Sequence, residues 1–252
     1  GGLGLTGTIV AITFKLKKMG GISFNTEIEK VLSFKDCLKK IDKSKGESNY
    51  IYSWNRADDY KSFGLGYIFR NKLIKKKIEK KIILRNIKRK KFNFPFTLWN
   101  KLFLKIVNKC FYEFQGLRKK KFEDDFLNVI FPYIGNERYF QFFGKKGFFE
   151  SQIIISQNNS ENFIDEFLSL FKKIQPTITL FSIKNISGEQ KYLRFEKEGI
   201  CLSFDFTNEK NNLVFLEQLD NLCIKYQGLP SIIKDSRLSR QNVISCYPEF
   251  FQ

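Results

Sequence analysis

The apolar and polar positions in the first half of the chain predict a helix between strands. Runs rich in β-branched and aromatic residues at 22–28, 49–54 and 66–69 are typical of strands. Between the first two runs, Ser33 can accept the hydrogen bond of a helix N-terminus, and the apolar residues after it recur at helical spacing. We therefore expect the order β-α-β-β in this half.

The second half of the chain repeats that order. Apolar runs at 152–155, 177–184 and 199–206 predict strands, and a phenylalanine-rich amphipathic helix lies between the first two. A further helix at 211–225 follows the last strand, with Leu213 among the residues that we place on its buried side. Two β-α-β-β units predict an α+β fold in which an antiparallel sheet carries helices on one face.

A glycine-rich segment, Gly1-Gly2-Leu3-Gly4-Leu5-Thr6-Gly7, opens the chain. The run at 8–16 is β-branched and apolar, which predicts another strand, and the glycines near Gly20 predict a domain boundary. The chain starts without methionine and without an apolar signal segment, so we expect it to be part of a longer protein.

Positive charge is concentrated in one segment. The net charge is +18, and residues 72–91 contain eleven lysines and arginines against one glutamate. Isoleucines four residues apart predict a basic amphipathic helix there. Three interpretations stay open: a solvated insertion, a contact with an anionic membrane surface, or a nucleic-acid contact. The third is disfavoured because no RNP, zinc-finger or helix-turn-helix pattern accompanies the segment.

The residue types that the sequence lacks exclude several classes of chemistry. The chain has no histidine, which argues against zinc sites and against Ser-His or Cys-His nucleophiles, and we predict no metal. Proton transfer at neutral pH must use lysine, tyrosine or a carboxylate, or a cofactor must carry the difficult step. Five widely spaced cysteines without a C-x-x-C pair predict reduced thiols and a cytoplasmic protein.

Several short motifs occur in the order of a known family. The glycine-rich opening resembles the end of the FAD-binding domain in the vanillyl-alcohol-oxidase superfamily, where the backbone lines the flavin. Within that superfamily, the chain most resembles the decaprenylphosphoryl-β-D-ribose oxidases. The motifs that carry the resemblance are Tyr52-Ser53-x-Asn55, Gly144-x-x-Gly147-Phe148-Phe149-Glu150-Ser151-Gln152, Lys184 at the end of a strand, the gapless strand 199–206, and Lys234-Asp235-Ser236-Arg237.

The resemblance implies a set of site residues. Glu150 stands where the family has the first of two glutamines. Ser203, with Cys201 two residues before it, stands where some members have an active-site cysteine. The implied catalytic residues are Lys234 and Lys184, the implied substrate-binding residues are Gln152, Glu150, Lys184, Ser203 and Cys201, and the implied flavin contacts are Gly4, Thr6, Gly7, Ile9 and Lys234.

The resemblance also implies domains and a reaction. Residues 1–19 would end an FAD-binding domain, 20–230 would form a substrate-binding (cap) domain with the basic insertion 72–91, and 231–252 would return to the FAD-binding domain. The implied reaction is hydride transfer to non-covalently bound FAD from a secondary hydroxyl of a polyprenyl-phosphate-linked ribose, a precursor of cell-wall arabinan. The implied partners are this lipid-linked sugar, the anionic surface of the inner membrane and a reductase.

Two other functions stay open. An oxidase of the same superfamily for a sugar lactone or another small alcohol would share the fold without needing a membrane-seeking segment. A non-catalytic basic module that binds membrane or nucleic acid would use no flavin. We expect the chain alone to be inactive, because it does not include the glycine-rich diphosphate-binding loop that the resemblance implies.

Overall fold

A computed structural model describes five stretches of the chain, which together contain eight strands and seven helices and form an α+β fold. The chain divides into two compact units, Lys18–Phe148 and Gly1–Lys17 together with Phe149–Gln252. The described stretches are residues 7–16, 23–74, 94–132, 138–234 and 237–250.

The first unit, Lys18–Phe148, contains a sheet of four antiparallel strands. These strands are β1 (Ser23–Val31), β2 (Tyr50–Asn55), β3 (Gly66–Leu73) and β4 (Lys121–Asp125). Their order across the sheet is β4-β1-β3-β2. The first three strands lie where the sequence predicts them. The fourth has no counterpart in the sequence analysis, because its charged residues hide the strand pattern.

Four helices belong to this unit, namely α1 (Phe34–Lys43), α2 (Lys101–Leu117), α3 (Phe126–Ile130) and α4 (Arg138–Gln141). Helix α1 begins after Ser33, as the sequence predicts. The Ser33 hydroxyl accepts a hydrogen bond from the backbone amide of Asp36 at 3.1 Å and so caps the helix. The observed order β1-α1-β2-β3 confirms the β-α-β-β order predicted for the first half of the chain.

The helices α1 and α2 pack on opposite faces of this sheet. Phe69 and Tyr52 lie opposite each other in the strand register, and Tyr112 of α2 packs with them. Cys37 of α1 instead hydrogen-bonds with Ser53, whose side chain points to the other face of β2. The expectation of helices on one face is therefore wrong for this unit. Buried side chains lie on both sides of β1, Ile28 on one and Val31 on the other, so each side of this sheet has a helix packed on it.

The second unit also contains four strands. They are β5 (Phe148–Ile155), β6 (Ile178–Ile186), β7 (Gly199–Thr207) and β8 (Leu229–Pro230), in the spatial order β6-β7-β5-β8. Antiparallel ladders join β6 with β7 and β5 with β8. The strands β5, β6 and β7 confirm the three predicted in the second half of the sequence.

Two long helices cover one face of this second sheet. The helices of the unit are α5 (Ser160–Ile174), α6 (Lys210–Lys225) and the shorter α7 (Arg240–Cys246). Phe204 of β7 stacks on Phe181 of β6 and on Phe167 of α5, with ring centroids 4.7 and 5.3 Å away. Phe215 of α6 packs edge-on against Phe167 at 5.6 Å. These four buried rings are the centre of the hydrophobic core.

The predicted helix at 211–225 is confirmed as α6, but the placement of Leu213 on its buried side is wrong. The side chain of Leu213 is 41% exposed. Asn212 takes the inward position, and its amide donates hydrogen bonds to the Thr207 carbonyl at 2.7 Å and to the Thr207 hydroxyl at 2.8 Å. A buried polar residue occupies this position because the backbone at the end of β7 needs a partner.

The prediction of a strand at 8–16 is wrong. The described segment 7–16 has no regular secondary structure, and its residues are exposed, with Val10 at 94%. An apolar, β-branched run becomes a strand only when a neighbouring strand accepts and donates its backbone hydrogen bonds. None of the eight described strands pairs with this segment.

The predicted basic helix at 72–91 and the predicted boundary near Gly20 lie outside the described residues. The exceptions are Lys72 and Leu73, which end β3, and Ile74, whose backbone amide donates to the carbonyl of Ser23 at 2.9 Å. Within the described stretches, every helix is too short or too polar to span a bilayer.

We expect the Phe204→Ala variant to lose about 3 to 5 kcal/mol of folding free energy in the second unit, because it removes a ring that stacks on two others. Denaturant unfolding followed by circular dichroism measures this loss. Phe14→Ala is the matched control. Its ring is exposed, so the change should stay within about 0.5 kcal/mol. Equal effects of the two substitutions would contradict the assigned core.

Candidate functional site

The face of the second sheet that α5 and α6 leave uncovered carries polar side chains. Successive residues of a strand point to opposite faces, so the inward Phe204 places Cys201 and Ser203 of β7 on the other face. Lys184 lies directly opposite Cys201 in the ladder between β6 and β7. Three of the predicted substrate-binding residues thus share one face of the sheet.

Two more predicted residues reach this face from β5. Ile154 of β5 packs against Cys201, which fixes the orientation of the strand. Gln152 and Glu150 lie two and four residues before Ile154, so their side chains point the same way. Their position beside β7 in the strand order brings them to Cys201 and Ser203.

Lys234 joins the group through the turn that follows β8. β8 pairs with the end of β5, and the amide of Ser231 then donates to the carbonyl of Gln152 at 2.8 Å. The amide of Lys234 donates to the carbonyl of Ser231 at 3.1 Å, which closes the turn. The Lys234 ammonium thereby lies 2.8 Å from the Oε2 atom of Glu150, 84 residues earlier in the sequence.

The Glu150 carboxylate is the centre of this hydrogen-bond network. Its Oε1 atom accepts from the side-chain amide of Gln152 at 2.9 Å, and its Oε2 atom accepts from Lys234. The side chains of Lys234 and Glu150 are 41% and 25% exposed, so a ligand can reach both. An ion pair that is this exposed contributes little to the folding free energy. Either side chain can therefore turn to a bound ligand at little cost in stability.

The Cys201 thiol is buried against this network. Burial raises the pKa of Cys201 to about 11. The Glu150 carboxylate also raises this pKa, whereas the Lys184 ammonium lowers it. Its Sγ atom lies 3.8 Å from the Ser203 hydroxyl. At neutral pH Cys201 is therefore a neutral thiol, and its surroundings are not those of a nucleophilic cysteine.

The C-terminal segment covers one end of the site. Tyr247 is completely buried, packs in the cluster with Cys201 and Ile154, and donates its phenol hydrogen to the carbonyl of Pro230. Sequence reasoning assigned no role to Tyr247. The signal that could have found it is a tyrosine among the apolar residues Val243, Cys246 and Phe250, since a buried tyrosine usually packs its ring and anchors its hydroxyl.

Arg237 holds the segment between the Lys234 turn and α7. Its guanidinium donates to the Oδ1 atom of Asp220 on α6 at 2.7 Å. Asp220 is itself a buried residue, so the pair is shielded from water. The arginine of the Lys-Asp-Ser-Arg motif is thus tied to the scaffold, while Asp235 and Ser236 lie outside the described residues.

The predicted flavin contacts are described only in part. Gly4 and Thr6 lie outside the described residues. Gly7 has a φ of +149°, and a Cβ atom there would meet nothing within 4 Å, so its backbone is open to close approach. Ile9 is exposed in the irregular segment after it, and neither Gly7 nor Ile9 takes part in the network around Glu150.

A groove of about 450 Å³ lies elsewhere in the second unit, between the loop at 188–190 and the residues around Cys246. None of the predicted site residues lines it. The polar network lies outside this groove, and its Lys234 and Glu150 side chains are 41% and 25% exposed. In the described stretches, no group of three or more cysteine, aspartate or glutamate side chains is arranged to hold a metal ion.

Comparison with known proteins adds no family. No protein-family model matches the chain, and no curated protein matches it significantly. The roles of the residues around Glu150 therefore depend on their geometry and on the resemblance of their motifs.

We expect a single fast thiol in the native chain at neutral pH. Cys110 is exposed, whereas the other four cysteines are buried or half-buried. With a pKa near 11, about one Cys201 in ten thousand is a thiolate at pH 7. Titration with DTNB measures the reaction. Cys110→Ser should remove the fast phase, and Cys201→Ser should leave it unchanged; a fast phase lost in Cys201→Ser would refute the inert thiol.

Proposed function

We propose that this chain carries the substrate side of an FAD-dependent oxidoreductase, which oxidises a secondary hydroxyl of a polyprenyl-phosphate-linked ribose. One observation supports the proposal most strongly. Lys234 lies 84 residues after Glu150 in the sequence, yet it forms one hydrogen-bond network with Glu150 and the neighbouring Gln152. The same sheet face carries Lys184 and Ser203.

The chemistry of these side chains fits a phosphorylated sugar. The exposed ammonium of Lys184 suits a phosphate, as a point charge with three donors. The amide of Gln152 can donate to a sugar hydroxyl and accept from one. Ser203 adds a hydroxyl at the base of the site, next to the neutral thiol of Cys201.

Glu150 changes the electrostatics of the site relative to a glutamine. A carboxylate repels a phosphate, so its charge must be balanced before an anionic substrate can bind. The Lys234 ammonium at 2.8 Å provides that balance. The Lys234 ammonium has three hydrogens, so it can donate to a ligand phosphate or hydroxyl while it stays paired with Glu150. The carboxylate then keeps its partner when the ligand binds.

The oxidation removes a hydride from the substrate carbon and a proton from its hydroxyl. A flavin, when bound, accepts the hydride. Lys234 would stabilise the negative charge that develops in this step, as a fixed ammonium beside the reacting atoms. The proton is released to solvent, to which the side chains of Lys234 and Glu150 are open by 41% and 25%.

The residues assigned to the flavin fit it where they are described. The backbone at Gly7 is open, and the apolar segment 9–16 is exposed without strand partners. In the proposal an FAD-binding domain covers this segment and binds FAD non-covalently. Residues 1–19 and 231–252 then belong to that domain, and 20–230 to the substrate-binding domain.

The proposed substrate places the protein at a membrane. A polyprenyl chain stays in the bilayer, so we propose a cytoplasmic protein that is peripheral to the inner membrane. Residues 72–91, with eleven basic residues, are a proposed contact with anionic lipid. A reductase that accepts electrons from the flavin is the proposed protein partner.

The first test is binding of farnesyl-phosphoryl-ribose, a short analogue of the lipid-linked sugar, by titration calorimetry with the 252-residue chain. We expect saturable binding that Lys184→Ala and Lys234→Ala each weaken about tenfold, as for the loss of one charged contact. Lys173→Ala is the control, because Lys173 is an exposed lysine on α5. Heat released equally by all variants would show non-specific charge binding and contradict the proposal.

Substrate preference separates the alternatives. Binding of soluble aldonolactones in place of the lipid-linked sugar would favour a sugar-lactone oxidase. Salt-sensitive RNA binding without sugar binding would favour the basic module.

We expect Glu150→Gln to tighten the binding of the phosphorylated sugar by about tenfold, because it removes a negative charge near the phosphate and keeps the shape of the side chain. The same variant should leave the binding of a neutral ribose unchanged. Calorimetry with the two ligands provides the comparison. Weaker phosphate binding in Glu150→Gln would mean that the carboxylate contacts the ligand directly.

A further inference from the structure

The helix α2 turns polar side chains towards its own unit. Its buried positions are Leu104, Asn108, Tyr112 and Gln115, of which Asn108 and Gln115 are polar and Tyr112 packs in an aromatic cluster. The Asn108 amide donates to the Oδ1 atom of Asp58 at 3.1 Å. Leu104 is buried and Phe103 and Val107 pack beside it, so α2 already has an apolar contact with its own unit, and its other apolar residues are left outside that contact.

The apolar stripe of α2 lies on the solvent side. Leu102, Ile106, Phe114 and Leu117 are 71%, 53%, 62% and 88% exposed. Their spacing puts them on one side of the helix, with the exposed Cys110 between them. From Leu102 to Leu117 the stripe runs for about 22 Å. Scattered exposed leucines need no explanation, but a contiguous apolar row of this length does.

Lysines border the stripe. Lys101, Lys105 and Lys109 follow one another at intervals of four, so they form a row along the helix. Lys105 and Lys109 each lie three residues after a member of the stripe. Lys105 also pairs with Asp59 at 3.2 Å.

The end of α2 adds further positive charge. Arg118, Lys119 and Lys120 follow its last residue, whereas Glu113 is the single acidic residue of the helix sequence. Glu113 lies seven residues after Ile106 and four before Leu117, so it is the one acidic side chain on the stripe side of the helix. The lysines and the arginine outnumber it, so the border of the apolar stripe is basic on balance.

We infer that the outer face of α2 binds an anionic membrane surface, with the stripe in the interface and the lysines at the headgroups. A helix with leucine, isoleucine and phenylalanine on one side and lysines beside them has the composition of an interfacial helix. The basic rim complements anionic lipid, and each lysine near the surface adds to the attraction. A second copy of this chain is a poor occupant, because the net charge of +18 and the two lysine rows would repel.

This inference goes beyond the proposed function and does not depend on it. It requires neither flavin nor sugar, and the residues that it uses, those of α2, do not include the segment 72–91. A chain that proves not to be an oxidase could still bind membranes through α2.

The test is co-flotation of the full 252-residue chain with vesicles of phosphatidylcholine alone, or of equal amounts of phosphatidylcholine and phosphatidylglycerol. We expect binding to the mixed vesicles, at least tenfold weaker binding for Ile106→Glu and for Phe114→Glu, and unchanged thermal unfolding of both variants, since both side chains are exposed. Leu213→Glu on α6 is the matched control. It makes the same change at another exposed apolar position and should bind as the parent chain does.

Cys110 provides a second readout on the stripe itself. An environment-sensitive fluorophore attached to this exposed thiol should shift its emission to the blue when the mixed vesicles are added. The double variant Lys101→Glu/Lys109→Glu should lose the preference for phosphatidylglycerol and the salt sensitivity of binding.

Three outcomes would overturn the inference. Full binding by Phe114→Glu would place the contact elsewhere on the chain. Equal binding to both kinds of vesicle would remove the role of the lysines. A dimer in sedimentation velocity that Phe114→Glu abolishes would make a second copy the occupant of the stripe.

Discussion

The stack of phenylalanine rings between β6, β7 and α5 determines which side of the second sheet is available for chemistry. Phe204 can lie between Phe181 and Phe167 only if the alternate residues of β7 point away from the helices. Those alternate residues are Cys201 and Ser203. The same alternation selects the outward side chains of β5 and β6, so one packing interaction sorts the core from the candidate site.

A second constraint completes the site. β8 is only two residues long, yet its pairing with β5 and the bond from Ser231 to Gln152 fix where the following turn begins. Tyr247 supports the same strand through its bond to Pro230. The turn then brings the Lys234 ammonium to Glu150. Burial of the tyrosine ring therefore contributes to the position of a lysine that is itself partly exposed.

Local patterns account for what the sequence predicted well. The strands β1 to β3 and β5 to β7 and the helices α1, α5 and α6 each carry their signal in neighbouring residues, such as the Ser33 cap. β4 and α2 escaped prediction for different reasons. The charges of β4 conceal its alternation. The apolar residues of α2 occupy more than half of its circumference, so they form no narrow stripe that would indicate a buried helix face.

The candidate site was predictable as a set of residues but not as a network. The motifs indicated Glu150, Gln152, Lys184 and Lys234 individually. The ion pair between Glu150 and Lys234 depends on the short β8 pairing and the turn after it, which leave little trace in a single sequence. Burial, which decides the protonation of Cys201, likewise depends on side chains distant in sequence.

Two exposed apolar surfaces of this chain have different physical requirements. The segment 9–16 has no regular secondary structure, and its backbone amides and carbonyls need partners before the segment can leave water. The backbone of α2 is already hydrogen-bonded within the helix, apart from its ends, where the Asn100 side chain accepts from Phe103 at 3.0 Å. Lipid offers no backbone partners. The segment 9–16 is therefore suited to protein and α2 is suited to a membrane interface, although both expose similar side chains.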